Sequence, residues 1–282
     1  MYIVVHSQTA CKTAYIERGY SMYFEQLWKA FSQMEEVEAI ALGGSRAGQN
    51  FDEKSDYDLY IYCTKVPDER KRKAVLENCC NYMEIGNHFW ELEDDCTLKD
   101  GIDIDILYRN PDDFANEVAS VVEQHSAHNG YTTCMWHNLI HSRILYDESG
   151  KFAQMQKRFD VPYPEELRKN IIAQNQKLLT GMLPSYDLQI KKALKRQDWV
   201  SVNHRSAVFL ESYFDIIFAM NRLTHPGEKR MVQYAKKEAK QLPKDFEKNI
   251  EKLLQSLFAK PEEVTDTLQR MIAALQTCLE HA

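Results

Sequence analysis

A glycine pair and a serine, followed by two aspartates one residue apart in an alternating apolar run, constrain this chain more than any other stretch. The segment reads LGGSRAGQNFDEKSDYDLYIY over Leu42–Tyr62. A short apolar run, Val37–Leu42, ends at Gly43 and Gly44, and a second run carries Asp56 and Asp58. Side chains alternate across a strand, so these two carboxylates share one face while Tyr57, Leu59 and Ile61 share the other. Carboxylates held side by side repel, and burying one unpaired is costly, so the pattern calls for a cation. Hard oxygen donors suit Mg²⁺, which takes a few carboxylates together with substrate phosphate oxygens. The turn at Gly43, Gly44 and Ser45 supplies permissive backbone, amide donors and a hydroxyl for close approach to phosphates.

The same device returns in GIDIDILYRN. Asp103, Asp105 and Leu107 share one face there, and Ile102, Ile104, Ile106 and Tyr108 share the other. A solvated antiparallel sheet also shows polar residues on one face. A second acidic strand behind a Gly-Gly-Ser turn favours a shared metal site over that reading.

These residues carry a resemblance. GGSRA, the spacing from Ser45 to Asp56, SDYDL and the later IDILYR resemble the nucleotidyltransferase superfamily related to DNA polymerase β. Within it, the chain resembles the small antibiotic nucleotidyltransferases and bacterial relatives with a C-terminal helical domain. The motif-bearing part covers roughly residues 20–110. The resemblance implies two Mg²⁺ ions held by Asp56, Asp58 and one of Asp105 and Asp103, with Asp105 favoured. It implies a triphosphate, ATP, gripped by Gly43, Gly44 and Ser45, with Arg46 neutralising charge. The implied catalytic residues are Asp56, Asp58 and Asp105. The implied reaction is transfer of AMP from ATP to a hydroxyl of a small, antibiotic-like acceptor, with release of pyrophosphate. The alternatives are modification of a protein or tRNA, and a non-catalytic nucleotide-binding regulator.

Around this centre the fold class reads as α+β. A nucleotidyltransferase α/β domain with a small mixed sheet is expected over 1–160, and an all-α bundle over 161–282. Gly19–Met34 reads as an amphipathic helix from Tyr20, Tyr23, Phe24, Leu27, Trp28 and Phe31. Val37–Leu42 and Tyr57–Cys63 read as strands, Arg46–Gln49 as a helical turn and Asn50–Ser55 as a loop. Pro67–Tyr82 reads as a helix, Asn87–Glu91 as a strand and Glu93–Asp95 as an acidic loop. Pro111–His125 reads as a helix and Ile144–Tyr146 as an edge strand. Pro162 and Pro164 mark the boundary. Beyond it, helices are expected at Glu165–Met182, Ser185–Trp199, Val200–Arg222, Glu228–Gln241, Lys244–Phe258 and Pro261–Glu280. Breakers such as Pro184, His225-Pro226-Gly227, Pro243 and Pro261 separate them.

Charge is divided along the chain. Residues 1–150 hold 26 acids and 13 bases, and 151–282 hold 16 acids and 22 bases. The net −7 makes the chain a poor candidate for gripping long nucleic acid. The basic half offers Lys229 and Arg230, after a Pro-Gly break, as nucleotide-binding residues. His137 and His141 have helical spacing, but no glutamate follows the first, so the zinc-protease pattern is absent. Seven scattered cysteines without a C-x-x-C pair suit free thiols in a cytoplasmic setting. The opening MYIVVHSQTACK lacks a basic leader, and no membrane partner is expected. Oligomeric state is left open.

Overall fold

The computed structural model describes residues 20–48, 55–89 and 91–281. The opening residues, Gly19, Gln49 and loop positions 50–54 lie outside them, as does Trp90 within the expected strand at Asn87–Glu91. The chain divides into two compact units, Met1–Pro111 with Ser142–Ala153, and Asp112–His141 with Gln154–Ala282.

The first unit is built on a six-stranded mixed sheet in the order β3-β4-β5-β2-β1-β6. Its strands are β1 (Val37–Leu42), β2 (Tyr57–Cys63), β3 (Cys80–Asn87), β4 (Glu93–Leu98), β5 (Asp103–Arg109) and β6 (Arg143–Asp147). Among the described residues, only β2 and β5 pair in parallel; the other neighbours are antiparallel. Helix α1 (Met22–Phe31) begins where the Ser21 side chain accepts the Tyr23 amide at 3.2 Å. It buries Phe24, Leu27 and Phe31 completely. Each such burial contributes on the order of 2 kcal/mol. Helix α3 (Glu69–Cys79) is capped by Asp68 and adds Leu76 to the same layer. Together they cover the face formed by Tyr57, Leu59, Ile61, Ile104 and Ile106. Strand alternation therefore turns Asp58 and Asp105 to the other face.

Local expectations change here, and the strand expected at Asn87–Glu91 is replaced by one that ends at Asn87. Helix α3 ends at Cys79, residues 80–87 form β3, and the supposed acidic loop Glu93–Asp95 opens strand β4. The reason is a long-range partner set. Asp94 is fully buried, and its carboxylate accepts from Arg72, from Tyr108 Oη at 2.8 Å and from the Gly86 amide at 2.8 Å. A buried carboxylate with those donors belongs in a strand, whatever its local propensity. Short helix α2 (Gly44–Ala47) follows β1, as the expected helical turn did, starting two residues earlier.

The second unit is helical: α4 (Pro111–Val122, entering from the first unit), α5 (Cys134–His141), α6 (Lys151–Phe159, its first three residues in the first unit), α7 (Glu165–Leu179), α8 (Tyr186–Lys195), α9 (Trp199–Met220), α10 (Met231–Glu238), α11 (Phe246–Ala259) and α12 (Val264–Glu280). The last six start and stop within four residues of their expected bounds. Periodicity assigns no element to α6, although Phe152, Met155 and Phe159 are buried at helical spacing. The core gathers Phe209, Tyr213, Ile217 and Phe218 of α9 with Phe246, Leu253, Leu268 and Met271.

Residues 112–141, expected with the sheet, cluster with these helices. Their hydrogen bonds explain it. Thr132 donates its amide and hydroxyl to buried Asp215, at 3.1 and 2.7 Å. Asn170 and Asn175 donate to the carbonyls of His125 and His128, and Trp136 Nε1 donates to Phe159 O at 2.8 Å. Among the described residues no helix is long and apolar enough to cross a membrane.

Candidate active site

Strand β1 delivers the chain into a turn whose shape depends on two glycines. The Gly43 amide donates to Asp58 O at 2.8 Å, tying the turn to β2. A Cβ on Gly43 would lie 2.2 Å from the ring of Tyr60. Gly44 has φ +58, and a Cβ there would lie 1.7 Å from Asp58 Oδ2. The turn therefore presses its backbone against the Asp58 carboxylate, an approach that only glycine permits. Ser45 follows, partly buried, and the Ala47 amide closes back onto Gly43 O at 3.2 Å.

Arg46 is buried and does not extend into solvent. Its Nε donates to Ser55 O at 2.6 Å, and its guanidinium lies 4.1 Å from the ring centre of Tyr57. Tyr57 in turn stacks on Phe24, ring centres 3.9 Å apart. A second arginine reaches the same turn from β6, one to which periodicity assigns nothing. Arg143 stands opposite Leu42 in the β1–β6 register, and its Nη2 donates to Ala47 O at 3.2 Å.

The carboxylates assemble through strand register. Asp58 of β2 and Asp105 of β5 are direct partners in the parallel ladder, and both are partly buried. On the other side of β5, Asp105 faces Asp95 of β4. Asp56 precedes β2 by one residue and is partly buried. Asp103 lies exposed, opposite Thr97, whose hydroxyl donates to Asp103 Oδ1 at 2.7 Å. The structure thus brings Asp105, not Asp103, beside Asp58. Burial, then the charges of Asp95 and Asp105, raise the proton affinity of neighbouring Glu93. Among the described residues no group of three or more His, Cys, Asp or Glu side chains is gathered for a metal as it stands. The Asp58–Asp105 pair nevertheless has the donor chemistry of a hard-cation site, two carboxylates side by side under a glycine cradle.

Lys229 and Arg230 belong to the helical unit, where both are exposed just ahead of α10. The preceding turn is anchored by His225, fully buried, whose amide donates to Thr133 Oγ1 at 2.8 Å and whose Nδ1 accepts from Gly227 N at 3.1 Å. Burial lowers its pKa to about 3, so the ring is neutral. His137 and His141 stack with ring centres 4.0 Å apart, and His137 Nδ1 bonds Thr224 Oγ1 at 2.7 Å.

Comparison with known proteins divides along the chain. Residues 25–124 match the family described as "Polymerase beta, Nucleotidyltransferase", and residues 132–231 match a domain of unknown function, DUF4037. No curated protein matches the chain. Among solved structures, a nucleotidyltransferase-like protein from Exiguobacterium sibiricum superposes with a TM-score of 0.42 at 10% identity, covering 93% of this chain and 75% of that one. An aminoglycoside 6-adenyltransferase from Bacillus subtilis superposes with a TM-score of 0.29 at 10% identity, covering 93% and 92% respectively. The glycine turn, the acidic pair and the match to the polymerase β nucleotidyltransferase family all fall in the same segment, residues 25–124.

Proposed function

We propose that this chain is a nucleotidyltransferase that moves AMP from ATP to a hydroxyl of a small molecule, releases pyrophosphate and requires Mg²⁺. The observation that carries the reading is the direct pairing of Asp58 with Asp105 beside a turn that Gly44 packs against Asp58. Asp56, Asp58 and Asp105 are the residues that would hold the cation. When bound, Mg²⁺ stabilises charge on the attacking and leaving oxygens of an in-line displacement. Gly44 and Ser45 bind the β- and γ-phosphates through backbone amides and the Ser45 hydroxyl, on a turn that the Gly43 amide ties to Asp58 O. Arg46 contributes its charge from behind the turn, because its guanidinium is folded onto Tyr57 and Ser55. Six free cysteines among the described residues support a reducing, cytoplasmic setting.

The test incubates the protein with Mg²⁺, α-labelled ATP and a library of hydroxyl compounds, followed by mass detection of adenylylated product. A mass gain of one AMP unit, lost in Asp58→Ala, supports the reading. Failure of ATP to bind at millimolar Mg²⁺ overturns it.

A further inference from the structure

Arg143 poses a charge problem that the fold alone does not solve. Its guanidinium is partly buried at the end of the Gly43–Gly48 turn. One amino group donates to Ala47 O at 3.2 Å and the other to the hydroxyl of Tyr20. Both partners are neutral. The two buried arginines of β5 and α3 have carboxylates instead: Arg109 pairs with Glu91 at 2.6 Å, and Arg72 pairs with Asp94. Among the described residues, no carboxylate lies within ion-pair distance of Arg143. Two bonds use two of five guanidinium N–H donors, so three stay available.

Its guanidinium lies 5.7 Å from the ring centre of Tyr20, and a partly buried cation whose hydrogen-bond acceptors are neutral keeps donors for an anion. The register determines where that anion must come from. Arg143 is the cross-strand partner of Leu42, the residue directly before Gly43, and its amino group holds the carbonyl at the turn's far end. It therefore spans the turn from entry to exit. A planar fork of donors there matches phosphate oxygens, which take two parallel N–H bonds.

We infer that Arg143 is a phosphate-binding residue of the nucleotide site, contacting the polyphosphate tail while it ties down the turn. This rests on the nucleotidyltransferase reading above. Tyr20 keeps the guanidinium oriented, and the bond to Ala47 couples the filled site to the turn's shape.

Equilibrium binding of ATP and of AMP, each with Mg²⁺, to the full chain tests this in wild type, Arg143→Gln, Arg143→Lys and Tyr20→Phe. Loss of a charge-assisted contact weakens ATP binding by about 10- to 100-fold in Arg143→Gln while changing AMP far less. Arg143→Lys keeps the charge without the fork and falls between. Tyr20→Phe removes only the tether and retains most of the ATP affinity. Equal weakening of ATP and AMP in Arg143→Gln, or a Tyr20→Phe loss as large, makes Arg143 a structural tether and overturns the inference. Wild-type affinity in Arg143→Gln overturns it too, leaving the nucleotidyltransferase reading intact. No triphosphate binding by wild type overturns both. Should Arg143→Gln melt before assay, the Arg143→Lys and Tyr20→Phe pair decides alone.

Discussion

Asp58 and Asp105 are neighbours across the parallel pairing of β2 with β5, each the other's direct register partner. Like charges opposed in a sheet destabilise by about 0.2–1 kcal/mol. Replacing Asp105 with Asn should therefore raise the melting temperature slightly in EDTA. Wild type should gain stability on adding Mg²⁺, and the variant should gain much less. Thermal unfolding with and without Mg²⁺ measures both; an equal Mg²⁺ gain in the variant moves the cation site elsewhere.

Gly44→Ala places a methyl where Asp58 Oδ2 lies 1.7 Å away, on backbone with φ +58. Gly101 makes a matched control, with φ +86 and nothing within 4 Å of its Cβ position. Both substitutions incur the left-handed backbone cost of about 1–2 kcal/mol. Only Gly44→Ala displaces a site carboxylate, so its transfer rate should fall by about 100-fold or more, as expected for a small misplacement of reacting groups. Equal activity loss in the two variants would show that backbone strain alone is responsible.

Three buried groups of the helical unit, Asp215, His137 and His225, hold their protons differently in the folded and unfolded chain. Burial pushes Asp215 up to about 7, and Thr132 and Asn175 donate against that rise. Burial, then the neighbouring His141, lower His137 to about 3, and burial lowers His225 to about 3. The Asp215 contribution is fully present below its unfolded value and is lost as pH rises through 7; the histidine contributions are present above their unfolded value and are lost as pH falls towards 3. Between about pH 5 and 6 the unfolded chain binds two histidine protons that the folded unit lacks, and the folded unit holds one on Asp215. Two minus one leaves one, so these groups make stability rise by about 1.4 kcal/mol per pH unit. Asp215→Asn removes the opposing proton and steepens the slope by about the same amount again. Urea unfolding at stepped pH reads the slope, and an unsteepened variant slope refutes a buried, protonated Asp215.

Asp94 and Arg72 form a buried ion pair joining β4 to α3, with Tyr108 as third member. Asp94→Ala strands the Arg72 charge and should cost about 3–5 kcal/mol. Adding Arg72→Met should recover much of that loss, since the stranded charge is then gone. Denaturant titration of the single and double variants measures the recovery; equal instability in both shows that packing, not charge, dominates.

The acidic strands, the glycine turn and the proline-separated helices were legible because each leaves a local period or breaker. Alternation alone placed Asp58 and Asp105 on the face opposite the isoleucines, as observed. Strand β4 was illegible because Glu93, Asp94 and Asp95 read as a loop until the donors of Arg72, Tyr108 and Gly86 are known. Arg143 was missed for a related reason: its partner is a backbone carbonyl 96 positions away. The grouping of residues 112–141 with the helices depends on Asp215, 83 positions from Thr132. Periodicity reports which face a side chain takes, and it is silent on distant partners.

The parallel pairing of β2 with β5 also dictates when the carboxylate pair comes into being. After β2 the chain must run through α3, turn back through β3 and β4, and then return in its original direction as β5. Such a long loop closes late, after local contacts have formed. Any cation bound there meets a nearly finished sheet, so it acts as a latch on the native state and not as a nucleus. It should slow unfolding while leaving the refolding rate almost untouched.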